Sequence, residues 1–157
     1  MTNASVLIID DDEVDRYLLK RLLKKTQFAF DIFEADDGTS ALRFLKGHEE
    51  NKLRDTSKSP PLIMFLDINM PIMRGPEFLS EFSKVRSRAF DRSCVIIMFS
   101  SSERKEDMDH MLRYDFVKDY LVKGSFDSNE LALRIENVID STLDDALEAA
   151  NDPTKHI

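Results

Sequence analysis

The chain has 157 residues, the size of one ordinary domain with room for one extra element. Hydrophobic residues make up 42% and charged residues 33%, the balance of a globular chain and not of a disordered one. The formal net charge of -8 argues against direct nucleic-acid binding, because phosphate contacts need Lys and Arg.

The longest apolar runs, Val6 to Ile9 and Leu62 to Leu66, are strand-sized. A membrane helix requires about 20 apolar residues, so no membrane span is expected. Met1 to Ser5 has neither a basic region nor a long apolar one, so no signal peptide is expected. The one cysteine, Cys94, cannot form an internal disulfide and reads as a small buried residue of an apolar strand. Together these features favour the cytoplasm.

Val6 to Ile9 ends abruptly in acids, which predicts a buried strand. A helix follows over about Glu13 to Lys25, with Leu18, Leu19, Leu22 and Leu23 at helical spacing. Asp12 or Glu13 is expected to cap it. Phe30 to Ala35 reads as a second strand. Asp36 to Thr39 is a turn with capping residues, and Ala41, Leu42, Phe44 and Leu45 form the apolar face of a second helix. Gly47 to Pro61 is polar and ends Ser-Pro-Pro, so an extended, solvated loop is expected there. Its reading is a tolerated surface insertion.

Leu62 to Leu66 is the third strand. Gly75 to Arg86 reads as a helix that turns Phe78, Leu79 and Phe82 inward. Cys94 to Phe99 is the fourth strand and Glu103 to Tyr114 the next helix. Tyr120 to Val122 is a short fifth strand, and Ser128 is expected to cap a final helix that runs to about Ala150. Apolar strands alternating with helices predict a parallel sheet covered on both faces.

Ligands of an open parallel sheet bind outside the carboxyl ends of the strands. Those ends read Asp10-Asp11-Asp12, Asp67, Ser100-Ser101-Ser102 and Lys123; the second strand, expected at the sheet edge, ends without a reactive group. Each feature alone has an ordinary explanation: acids after a strand cap helices, and a Ser or Lys there is commonly a turn or solvated residue. Their joint placement at four of five strand ends is what points to a site. Clustered carboxylates repel one another and raise the pKa of at least one. A hard divalent cation relieves that repulsion, and Mg2+ keeps room for a phosphoryl oxygen. One carboxylate can then act as the nucleophile that forms an acyl phosphate. Lys123 supplies a point charge for phosphoryl oxygens, and the Ser100 hydroxyl can donate to one.

The set Val6 to Asp11, Asp67-Ile68-Asn69-Met70-Pro71 with Gly75, Ser100-Ser101, and Tyr120 to Lys123 resembles the receiver domain of bacterial response regulators. The resemblance covers about residues 4 to 140 and is specific as a set. It implies an α/β, flavodoxin-like, doubly wound (βα)5 fold with a five-stranded parallel sheet in the order 2-1-3-4-5. It implies that Asp67 is the phosphoacceptor. Asp11 and Asp67 would bind Mg2+ directly, with the backbone carbonyl of Asn69 as a third ligand, and Asp10 would act through a metal-bound water. Ser100 and Tyr120 would form the switch, the Tyr120 ring moving between outward and inward positions, and Lys123 would bridge to Asp67 or its phosphoryl group. The implied phosphodonor is a sensor histidine kinase or a histidine phosphotransfer protein. Such a chain catalyses only its own phosphorylation and dephosphorylation and is not an enzyme with a diffusible product.

This sequence departs from the family pattern in one place: Gly124 stands where the family usually has Pro after the Lys. A cis bond without Pro costs about 3 kcal/mol, so a trans bond or a mobile loop is expected. The receiver pattern ends near Asp140, leaving 141–157 as a helical extension and tail with no separate output domain expected. Ile139, Leu143, Ala146, Leu147 and Ala150 form an apolar stripe there, which suits a homodimer or partner contact. Pro153 blocks continuation. Two other readings compete. Asp10-Asp11-Asp12 contains the Asp-x-Asp of haloacid-dehalogenase phosphatases, but Glu13-Val14 follows where that family needs Gly-Thr. A pseudo-receiver, binding without phosphorylation, is the other; it typically lacks the acid pocket or the acceptor, and both are present here.

Overall fold

The computed structural model describes residues 4–54, 62–89 and 94–150, with side chains described over 5–47, 63–86 and 94–141. Strands β1 (Ala4–Ile9), β2 (Phe30–Ala35), β3 (Leu62–Leu66), β4 (Val95–Ser100) and β5 (Val117–Val122) alternate with helices α1 (Glu13–Lys24), α2 (Gly38–Arg54), α3 (Gly75–Ala89), α4 (Lys105–Met111) and α5 (Ser128–Ala150). All neighbouring strands pair parallel, in the order β2-β1-β3-β4-β5. This is the expected flavodoxin-like, doubly wound fold.

The apolar strands hide a period of two. Side chains alternate across a strand, so Leu7, Ile9, Met64, Leu66, Ile96 and Met98 join one core with Phe78, Phe82, Ala41 and Leu45. Val6, Ile8, Ile63, Phe65, Val95 and Ile97 join the other with Leu19, Leu23, Leu131 and Ile135. Both faces are covered, which is why β1, β3 and β4 carry no polar alternation. Cys94 is buried. Among the described residues no helix is long and apolar enough to cross a membrane.

Several boundaries differ from the sequence reading. Helix α2 continues through Gly47 to Arg54, where a loop was expected from Gly47. The residues 46–54 are mostly strong helix formers, and one exposed-site glycine costs about 1 kcal/mol, too little to stop propagation. The rest of that expected loop, 55–61, lies outside the described residues. Helix α4 is shorter than expected at both ends. Strand β5 begins earlier, at Val117, because Ile96 N–H reaches the Phe116 carbonyl at 2.8 Å and draws this edge strand into register. On α1, Leu19 and Leu23 are buried while Leu18 is 48% exposed, since it sits one residue, about 100°, off the packed stripe. Asp12 does cap α1, accepting from the N–H groups of Val14 and Asp15. Helix α5 is capped by Asp127, which accepts from Glu130 N–H at 2.8 Å, and not by Ser128. Ile139, counted in the C-terminal stripe, belongs to the core; the side chains from 142 onward lie outside the described residues.

The β3–α3 connection is tightly built. A side chain at Gly75 would meet the Asp67 carbonyl and the Ile68 Cα, both at 2.8 Å, so only glycine lets α3 start against the strand end. Just before it, Met73 N–H bonds the Pro71 carbonyl at 2.7 Å around Ile72, whose φ is 68°. A β-branched residue in that region is strained by about 1–3 kcal/mol. The Ile72 side chain is 86% exposed, so it recovers little by burial. Glycine there would release the strain and cost about 0.5–1 kcal/mol in unfolded-chain entropy. Ile72→Gly is therefore expected to raise stability by about 1 kcal/mol, seen as a melting temperature roughly 2–4 °C higher by circular dichroism; an unchanged or lower melting point would contradict the strain.

Candidate functional site

Four strand ends meet at one rim; β4 ends in Ser100 itself, and the ladder carries one residue past each of β1, β3 and β5. Asp10 N–H bonds the Ala35 carbonyl at 3.1 Å, Asp67 N–H the Ile9 carbonyl at 3.0 Å, and Lys123 N–H the Ser100 carbonyl at 2.8 Å. The backbone of each reactive residue is thus held by its neighbour strand. The structure brings Asp10, Asp11, Asp67, Ser100 and Lys123 to the same end of the sheet, as expected.

The carboxylates of Asp10, Asp11 and Asp67 each offer an oxygen within 4.8 Å of the others. Asp10 is fully buried, Asp67 nearly so, and Asp11 is exposed. Asp10 Oδ1 accepts from Asp12 N–H at 2.9 Å. Its Oδ2 is buried with no aligned hydrogen-bond donor, although the Lys123 ammonium lies 2.7 Å away as an ion contact. Asp67 Oδ1 accepts from Ile68 N–H at 2.9 Å. Lys123 Nζ stands 3.6 Å from Asp67 Oδ2 and 2.8 Å from Asp15 Oδ2. Arg16 Nη1 bonds the Asp10 carbonyl at 2.6 Å and its Nε pairs with Glu34 at 3.2 Å, tying α1 to the floor of the site and to β2.

Burial sets the protonation behaviour. It raises Asp67 from 3.8 to about 6, helped by the charge on Asp10 and opposed by Lys123 and the N–H groups of Ile68 and Asn69. Burial also raises Asp10, against the pull of Lys123. For Lys123 burial disfavours the ammonium, but the carboxylates of Asp10 and Asp15 outweigh it and its pKa rises above the usual lysine range. Three convergent carboxylates, two of them buried, are the chemistry a hard divalent cation accepts.

The remaining expected residues lie close by. Ser100 is fully buried, and its Oγ accepts from Ser102 N–H at 3.2 Å. Tyr120 is buried, and its hydroxyl donates to the Ser102 carbonyl at 2.9 Å. Ser100 and Tyr120 therefore meet through one loop residue and not directly. The Asn69 side chain accepts from Arg74 Nη2 at 3.0 Å. No cis peptide occurs among the described residues, so the bond before Gly124 is trans, and Gly124 adopts φ +78°. Asp15 was not expected in the site. Its one sequence signal is an acid in the first turn of the helix after the acidic strand end, which capping explains equally well.

A family model described as the response regulator receiver domain matches residues 6–136. Among curated proteins the chain is similar to the chemotaxis protein CheY of Halobacterium salinarum, 35% identical over 104 residues, covering 66% of this chain and 71% of that protein. It is also similar to the aerobic respiration control protein ArcA of Escherichia coli, 24% identical over 143 residues and 91% of this chain; it spans about half (51%) of ArcA. Among solved structures it resembles a two component response regulator from Cytophaga hutchinsonii, with 26% identity, a TM-score of 0.71, and coverage of 92% of this chain and 99% of that one. The receiver domain of the histidine kinase CKI1 from Arabidopsis thaliana, complexed with Mg2+ and BeF3-, gives 26% identity, a TM-score of 0.71, and coverage of 85% and 88%.

The raised Asp67 pKa has a thermodynamic consequence. The folded state holds its proton more tightly than the unfolded chain does, so the stability this group gives is full below about 3.8 and is lost as pH rises through about 6. The shift corresponds to roughly 2–3 kcal/mol at neutral pH. Asp67→Asn cannot ionise and is expected to be more stable than the parent by about that amount near pH 7. The gap should close as pH is lowered toward 4. Urea unfolding of both proteins across that range measures it, and a gap independent of pH would rule out an ionised, buried Asp67 as its cause.

Proposed function

The chain belongs to the response regulator receiver domain family, and from that membership we propose that Asp67 accepts a phosphoryl group in a Mg2+-dependent reaction within a two-component or phosphorelay system. The observation that carries this reading is the convergence of three carboxylate oxygens within 4.8 Å, with the Lys123 ammonium 3.6 Å from the carboxylate of Asp67. Asp67 is the acceptor in this reading because it lies at the end of a central strand, with two charged partners on its flank. The donor is a phosphohistidine on a sensor histidine kinase or a histidine phosphotransfer protein. An Asp67 oxygen attacks phosphorus, the phosphorus–nitrogen bond breaks, and the imidazole leaves with its electron pair and takes up a proton. The product is an acyl phosphate on Asp67.

Asp10, Asp11, Asp67 and the backbone carbonyl of Asn69 would hold the cation. When bound, Mg2+ supplies neutralisation of the carboxylates and a charge facing the phosphoryl oxygens. Lys123 adds a second positive charge at the phosphoryl group. Ser100 donates its hydroxyl to a phosphoryl oxygen, and Tyr120 responds through Ser102, whose backbone both residues engage. The receiver proper is 4–140, and 141–157 is an extension. Helix α5 continues to Ala150, and the sequence stripe of Leu143, Ala146, Leu147 and Ala150 supports pairing with a second copy. The signal is thus an altered surface and not a released product, and the reading places the protein in the cytoplasm beside its kinase, away from nucleic acid and membrane.

The test is intact mass after incubation with acetyl phosphate, with and without Mg2+, for the parent and Asp67→Asn. A Mg2+-dependent gain of one phosphoryl group on the parent, absent from the variant, is expected. A gain that survives Asp67→Asn would move the acceptor elsewhere. No gain from acetyl phosphate or from a phosphohistidine protein would favour the pseudo-receiver reading.

A further inference from the structure

Lys123 is shared unequally among three carboxylates. Its ammonium lies 2.7 Å from Asp10 Oδ2 and 2.8 Å from Asp15 Oδ2, but 3.6 Å from Asp67 Oδ2. The backbone of Lys123 is fixed by its bond to the Ser100 carbonyl, and Gly124 turns the chain immediately after it at φ +78°. The side chain lies over the Phe99 ring, with Nζ 5.2 Å from its centroid. What remains free to choose is the end of the side chain, and its choices are these three acids.

Asp15 differs from the other two partners. It stands on the first turn of α1, held there by the Asp12 cap. It lies outside the group of Asp10, Asp11 and Asp67 whose oxygens converge for a cation. Asp10 and Asp67 therefore have two positive claimants, the ammonium and a divalent cation, and these repel each other at contact distance. A half-buried ammonium pushed off both acids would be left without a counter-charge, which is strongly unfavourable. Asp15 gives it one that the cation does not use.

We infer that Asp15 is a positioning residue that retains the Lys123 ammonium when Asp10 and Asp67 turn to the cation. Before that event it also draws the ammonium away from Asp67. Asp15 acts through Lys123 and does not touch the reacting atoms. The inference rests on the metal-dependent reading of the site given above.

Mg2+ affinity is to be measured by isothermal titration calorimetry on the full chain for the parent, Asp15→Asn, Lys123→Met and the double variant. Any lost negative charge weakens a nearby cation site somewhat, so the coupling in the cycle carries the test. Asp15→Asn is expected to weaken Mg2+ roughly tenfold in the parent and less than about twofold when Lys123 is Met. Asp15→Glu is expected to restore most of the loss, which distinguishes a charge partner from a residue needed for folding. In the metal-free parent, the 15N–1H signal of the Lys123 ammonium, protected between two carboxylates, is expected to broaden or shift in Asp15→Asn. Equal weakening in both backgrounds would overturn the inference, because Asp15 would then act as a remote charge only. So would an Asp15→Asn protein that binds Mg2+ as tightly as the parent. A folded parent that binds no Mg2+ would defeat the functional reading itself, and this inference with it.

Discussion

Two buried carboxylates at the ends of adjacent parallel strands repel each other, and the architecture of the site follows from that conflict. Asp10 and Asp67 terminate β1 and β3, which lie side by side at the centre of the sheet. Both are removed from water and both are pushed toward their neutral forms. A protein selected for stability alone would place an amide or an apolar group at one of them. Keeping both acids, with Lys123 close to each, maintains a buried anionic cluster whose chemistry suits a hard cation.

The sheet makes that conflict unavoidable. Asp10, Asp67 and Lys123 each take a backbone bond from the neighbouring strand, one step beyond their own strand. The Cα atoms that carry these side chains cannot drift apart without breaking the ladder. Gly75 adds a constraint from the other side, because α3 begins in contact with the Asp67 carbonyl. The strained turn at Ile72 lies in the same connection. Rigid backbone thus fixes where the carboxylates stand, and the end of the Lys123 side chain is the part of the cluster left free to move.

Most of the fold was legible in the chain. Short apolar runs ending in Asp10, Asp67, Ser100 and Lys123, separated by amphipathic stretches, are enough for a parallel sheet with its reactive ends on one rim. The helix faces carried by Phe78, Leu79 and Phe82 and by Ala41 and Leu45 were legible for the same reason, helical period against burial. The misreadings have local causes. The polar composition of Gly47 to Pro61 and its Ser-Pro-Pro end suggest a loop, but polar composition does not separate a solvated helix from a loop, and α2 runs on to Arg54. The sequence pattern marks strand β5 only from Tyr120, whereas it begins at Val117, because an edge strand can carry Lys118 and Asp119 where an inner one cannot.

By itself the sequence determined which groups are present, in what order, and at which strand ends they fall. Those facts depend on hydrophobic period and residue chemistry, both of which are local. Only the tertiary structure decided how the charges are shared. Lys123 sits nearer to Asp10 and Asp15 than to Asp67, and Ser100 reaches Tyr120 by way of Ser102. Asp15 and Lys123 are 108 residues apart in the chain. Their pairing depends on how α1 packs on the sheet beside α5, which brings its first turn to the residue after β5, and no local pattern carries that information.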